Sequence, residues 1–183
     1  MKKLLTLALA LCLCLSSAAL AETAAPTTPP NAAGRPYLLD DWEDAPVTLS
    51  EWKGKVTFLN FFTTWCTYCQ REMPDLKALQ EKYGDALRVV LVHIPSGENE
   101  ETARAFLKEN DLEDLTFVED NGFFAYMYDI EGYPLSVVMD AEGYLSDYFP
   151  RAIEAATMEE AVIAAGVVLP EASQTGGDKA HAE

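Results

Sequence analysis

The 183-residue chain has no apolar run long enough to cross a bilayer, few basic residues, two histidines and four cysteines. Each shortage narrows the chemistry. Leu4 to Leu15 is apolar for about a dozen residues, whereas a membrane-spanning helix needs roughly 20. Lys2 and Lys3 precede that run and Ala19-Leu20-Ala21 follows it, the order of a secretory signal with its small-x-small cleavage site. Residues 1–21 are therefore expected to be removed, leaving a soluble protein outside the cytoplasm. The alternatives weighed are an uncleaved anchor and a lipoprotein cysteine at Cys12 or Cys14.

Positive charge is scarce as well. The chain has 13 Lys and Arg against 30 Asp and Glu, a net charge of −17. Losing Lys2 and Lys3 leaves 11 against 30, or −19. Nucleic-acid binding needs clustered Lys and Arg to meet phosphates, so no nucleic-acid partner is expected. The acidity is a statement about solubility rather than about fold.

Cleavage would also halve the cysteines, leaving Cys66 and Cys69 alone. A disulfide between them closes a loop too small to stabilise a fold by chain entropy, which grows with loop length. A secreted chain that spends its single pair there is using it for chemistry. Zinc is excluded by ligand count. A closed site needs four ligands, and His93 and His181 are the only histidines. No cofactor is called for. A Cu(I) module built from Cys66, Cys69 and His93 is the non-enzymatic alternative.

What remains reads as one folded block. Residues 22–34 are rich in Ala, Pro and Thr and read as a flexible linker; residues 170–183 read as a disordered tail. Between them, residues 35–169 alternate strand and helix signals. Val56–Phe62 and Leu87–Ile94 are β-branched and aromatic runs suited to buried strands. Residues 69–83 place Met73, Leu76, Leu79 and Tyr83 on one helical face, with Gly84 as the stop. Residues 100–110 predict an amphipathic helix with Ala103, Phe106 and Leu107 inward. A short strand over 115–118 and a short helix over 123–128 follow. Residues 135–139 and 144–149 flank Asp140-Ala-Glu-Gly143, a hairpin signal. A last helix is expected to open at Thr157, with Glu160 completing a capping box. The order β-α-β-α-β-α-β-β-α predicts an α/β fold: a mixed sheet with helices on both faces.

Cys66 falls between a strand and the helix it leads into. Free N–H groups and the positive end of a helix dipole stabilise a thiolate there. Cys69, three residues on, is within reach to resolve a mixed disulfide. Cys66 is thus the expected nucleophile and Cys69 the more buried resolving thiol.

Trp65-Cys66-Thr67-Tyr68-Cys69 after Phe58-Leu59-Asn60-Phe61-Phe62 resembles the thioredoxin superfamily. More narrowly, the chain resembles its TlpA/ResA-like branch of exported reductases, through Gln70-Arg71-Glu72-Met73-Pro74, Val47-Thr48-Leu49-Ser50, Lys53-Gly54-Lys55, Gly132-Tyr133-Pro134, Leu135-Ser136-Val137-Val138-Met139-Asp140 and Gly143. The resemblance implies a thioredoxin-like fold and a thiol–disulfide oxidoreductase acting on cysteine-containing exported proteins. Apocytochrome c is one such substrate, and an upstream thiol donor, membrane-bound or soluble, would recharge the pair. It implies a cis bond before Pro134 facing the dithiol, with Trp65, Thr67, Tyr68, Tyr133 and Pro134 meeting substrate. Asn60 stands where thioredoxins place a buried Asp. Glu72 stands where this branch places an acid, so proton transfer to and from the thiols is assigned to it; the bland alternative is a solvated surface carboxylate. Pro74 is expected to kink its helix. Leu135 departs from the Thr common after the proline, and Thr67-Tyr68 from the Pro common between the cysteines. A disulfide oxidase or isomerase is the competing reading. A peroxidase is disfavoured because Leu59 stands where its Pro would be.

Overall fold

The computed structural model describes residues 30–170. The expected signal segment, most of the linker at 22–34 and the tail after 170 lie outside them, as do Cys12, Cys14 and His181.

Five strands form one mixed sheet in the order β3-β2-β1-β4-β5. β1 (Val56–Phe62) lies at its centre, parallel to β2 (Leu87–His93), which is parallel to β3 (Thr116–Glu119). β4 (Leu135–Met139) runs antiparallel to β1 on its other side and pairs with β5 (Leu145–Phe149). Every residue of β1 is buried, as expected for a central strand covered on both faces.

The period-2 alternation of β1 sorts the core into two halves. Val56, Phe58 and Phe62 join one cluster with α1 (Thr67–Tyr83), α2 (Glu100–Glu109) and α4 (Ala155–Ala164). Leu59 and Phe61 join the other, under α3 (Phe123–Met127) and the N-terminal segment, where Leu39, Leu49 and Trp52 pack. Met73, Leu76, Leu79 and Tyr83 form the buried stripe of α1, as their spacing predicts. Pro74 stands inside α1 without ending it.

Two helix starts differ from expectation. α1 begins at Thr67 rather than at residue 69, because Cys66 itself takes the N-cap position: its backbone is extended and its sulfur accepts the Cys69 N–H. α4 begins at Ala155, not at Thr157. The carbonyl of Glu154 accepts the N–H groups of Thr157 and Met158, at 2.9 and 3.1 Å, and starts the helical ladder. Ala155 and Ala156 are good helix formers, so the helix runs upstream of Thr157, which falls within its first turn and does not cap it.

The hairpin is as read. Asp140 and Tyr144 pair, and Gly143 has φ of 97°. A Cβ there would lie 2.8 Å from both Leu39 and Tyr37, so the turn requires glycine for conformation and for space.

Candidate active site

Three segments meet at the C-terminal edge of β1: the β1–α1 turn, the loop before β4, and the segment between β2 and α2. Strand β1 ends at Phe62, and the Cys66 N–H closes the turn onto the Thr63 carbonyl at 3.2 Å. Cys66 and Cys69 are joined as a disulfide with Cα atoms 5.3 Å apart. The Cys66 sulfur accepts the Cys69 N–H at 3.1 Å, so it occupies the anion-stabilising end of α1. Cys66 is 6% exposed and Cys69 not at all, the asymmetry expected of attacking and resolving thiols.

Above Cys66 opens a groove of about 440 Å³. Trp65, Cys66, Thr67 and Tyr68 line one side; Glu131, Gly132 and Tyr133 line the other. The Tyr133–Pro134 bond is cis. Trp65 meets Tyr133 edge-to-face at 5.9 Å, and its indole N–H donates to the Ser96 carbonyl at 3.0 Å. Trp65 and Tyr68 stay more than half exposed, and the Arg71 guanidinium lies 5.3 Å over the Tyr68 ring. Four of the five residues expected to meet substrate, Trp65, Thr67, Tyr68 and Tyr133, therefore line the groove with Cys66, and Pro134 follows Tyr133 in the chain.

Glu72 lies one turn beyond Cys69 on the same face of α1 and is buried, not solvated. Its Oε1 accepts the Ile153 N–H at 2.6 Å. Its Oε2 accepts from the Asn60 amide at 3.5 Å, and that same amide donates to the Ser136 hydroxyl at 3.0 Å. Asn60 and Ser136 face each other across β1 and β4. The Asn60 Oδ1 has no partner. Burial without a cation pushes the Glu72 carboxyl up to about 7; the bonds from Ile153 and Asn60 offset part of that rise. An acid of that strength near neutrality is suited to exchanging protons.

His93 is buried at the end of β2, and both its ring nitrogens are engaged by carboxylates, Nε2 with Glu98 and Nδ1 with Glu119. This commitment leaves no nitrogen for copper, and among the described residues no His, Cys, Asp and Glu cluster suits a metal. Sequence reasoning missed Glu98, Glu119, Glu131, Ser136 and the Ile153 N–H. No spacing motif marks them, since each reaches the site from a separate loop or strand. The pairing of Ser136 with Asn60 belongs to the β1–β4 ladder, which the register of the β4–β5 hairpin does not fix.

Among the described residues no helix is long and apolar enough to cross a membrane. The chain is 35% identical to the thioredoxin-like protein YneN of Bacillus subtilis (strain 168) over 114 residues, 62% of this chain and 66% of that protein. It is 30% identical to the thiol-disulfide oxidoreductase ResA of Bacillus thuringiensis subsp. konkukian (strain 97-27) over 107 residues, 58% of this chain and 61% of that protein. It thus spans just under two thirds of the length of these curated relatives. Among solved structures, the exposed lipoprotein thioredoxin Etrx1 of Streptococcus pneumoniae strain TIGR4 superposes with a TM-score of 0.57 at 26% identity. That match covers 62% of this chain and 87% of the other, so the fold is thioredoxin-like. The family described as Redoxin matches residues 21–163, most of the sequence, and the chain belongs to that family.

Proposed function

We propose that the chain is an exported protein thiol–disulfide oxidoreductase working through Cys66 and Cys69 as a reductase. The observation that carries the reading is the Cys66 sulfur at the N-cap of α1, in the groove that it lines together with Tyr133, the residue before cis-Pro134. The reduced chain presents Cys66 as a thiolate, stabilised by the helix end. That thiolate attacks one sulfur of a substrate disulfide, forms a mixed disulfide and releases the other substrate sulfur as thiolate. Cys69 gives its proton to the Glu72 carboxylate and attacks Cys66. The Cys66–Cys69 disulfide forms, and the second substrate sulfur leaves with a proton. Two electrons pass from the chain to the substrate, and a thiol donor must later return them.

Trp65, Thr67 and Tyr68 form one wall for an extended substrate segment, and the Tyr133 backbone ahead of Pro134 offers main-chain pairing to it. Export is supported by the signal pattern in residues 1–21, which also makes secreted cysteine proteins, apocytochrome c among them, the substrate class. The relatives' names support the same activity.

The decisive experiment is a Cys69→Ala chain expressed in its own cell. Natural substrates should accumulate as mixed disulfides on Cys66, and alkylation trapping should find the wild-type pair reduced at steady state. Recovering no mixed disulfide would overturn the two-thiol mechanism. A largely oxidised pair that passes its disulfide to substrates would reverse the direction and favour the oxidase.

A further inference from the structure

A partly buried cluster of ionisable groups that the exchange steps do not use holds the turn leading to Cys66. His93 is the last residue of β2 and is fully buried. Its Nε2 lies 2.9 Å from Glu98 Oε1 and its Nδ1 2.5 Å from Glu119 Oε2. A neutral imidazole has one N–H and one lone pair, so it serves one carboxylate and opposes the other; the imidazolium serves both. The other groups stacked on the ring are apolar, Phe62 from β1 and Phe117 from β3. Glu98, from the β2–α2 segment, and Glu119, at the end of β3, are the charged groups facing it.

Glu98 reaches onward to the dithiol loop. Its Oε1 also accepts the Thr64 N–H at 2.7 Å, and its Oε2 accepts the Thr64 hydroxyl. The neighbouring Ser96 carbonyl accepts the Trp65 indole. Two consecutive residues before Cys66 are therefore fixed by this one segment. A carboxylate in that place, two residues from the nucleophile, would by itself oppose a thiolate through like-charge repulsion.

We propose that His93 and Glu98 are positioning residues for the dithiol. Glu98 fixes Thr64 in the turn that presents Cys66, and a His93 imidazolium shared between Glu98 and Glu119 offsets the Glu98 charge so that it opposes the Cys66 thiolate less. The proposal rests on Cys66 being the attacking thiolate.

The test is the pH dependence of Cys66 alkylation by iodoacetamide in the reduced full chain, read by mass spectrometry of the Cys66 peptide. His93→Gln leaves Glu98 uncompensated, so the profile should move to higher pH by up to about one unit, with alkylation at neutral pH up to about tenfold slower. Glu98→Gln keeps an acceptor for Thr64 but removes the negative charge, so its profile should move to lower pH. The double variant should return close to the wild-type profile. Purely structural damage would not produce opposite shifts, nor be repaired by a second substitution. An unmoved His93→Gln profile, shifts in the same direction, or an unrepaired double variant would each overturn the proposal. If the His93→Gln chain does not fold, the direction of the Glu98→Gln shift decides. Alkylation involves no protein substrate. A wild-type chain that fails to exchange disulfides yet shows these shifts would sink the proposed function and leave this inference standing.

Discussion

Two carboxylates flank the dithiol, one buried and one partly buried, and their surroundings treat them in opposite ways. Glu72, on the buried face of α1, has neutral hydrogen-bond donors only, the Ile153 N–H and the Asn60 amide, and burial pushes its carboxyl up to about 7. Glu98, beside the β1–α1 turn, is also desolvated. Its bonds from Thr64 and His93 outweigh that burial and hold it below the usual carboxylate range. The residue type is the same, but Glu72 is buried and Glu98 only partly so. Depth differs, and so do the number and charge of the donors; together they give one carboxylate a proton to move and the other a fixed charge to hold.

The comparison breaks most visibly if Glu98 is replaced by Leu. His93 and the Thr64 N–H would lose their partner inside the fold, and denaturant unfolding should show a loss of about 4 kcal/mol. A loss below about 1 kcal/mol would mean the buried pair does not hold the turn.

Glu72 sharpens the contrast through pH. Its folded carboxyl binds a proton more tightly than the unfolded one, whose ordinary value is 4.5. The contribution of Glu72 to stability is therefore full at low pH and lost as pH rises from about 4.5 through about 7. A Glu72→Gln chain should match the wild type in acid and exceed it by about 3 kcal/mol at pH 8. Its exchange should also slow, because Gln cannot accept the Cys69 proton. Parallel stability curves for the two chains would place the carboxylate in water. Glu98 slopes the other way, its contribution being lost as pH falls through the carboxylate range.

Smaller effects follow. Asn60→Ala removes the donor shared by Glu72 and Ser136 and should cost about 1 kcal/mol. It should also move the Glu72 transition to still higher pH, measured by unfolding at several pH values; a downward move would mean Asn60 does not favour the ionised form. Thr157→Ala is a change inside α4 at a residue hydrogen-bonded to neither carboxylate. It should change stability by less than about 0.5 kcal/mol, and a loss near 1 kcal/mol would restore a capping role to it.

Much of the fold was legible because long periodic segments announce themselves. The apolar run of β1, the buried stripe of α1 and the Asp140–Gly143 turn each depend on local spacing, and each appears where the spacing places it. The ends of helices were less legible. Cys66 caps α1 through its sulfur, an atom that capping preferences do not count, and α4 starts from a backbone carbonyl with no side-chain cap at all. At the site, Cys66, Cys69, Trp65 and Tyr68 were marked by contiguity, and Glu72 by its place one turn further along the helix. Whether Glu72 was buried was not legible, since that depends on Ile153, 81 residues away in sequence.

His93 shows where sequence stops. A histidine between Val92 and Ile94 in a strand pattern reads as an ordinary strand-end residue, and nothing local marks Glu98 and Glu119 as its partners. By itself the sequence determined the dithiol, the helix that follows it, the alternation of strands and helices, and the acidic net charge. These rest on composition and on neighbours within a few residues. Only the tertiary structure decided which carboxylate is protonated near neutrality and which is held as an anion. That outcome depends on desolvation and on donors delivered by separate strands and loops, and both exist only once the chain has packed.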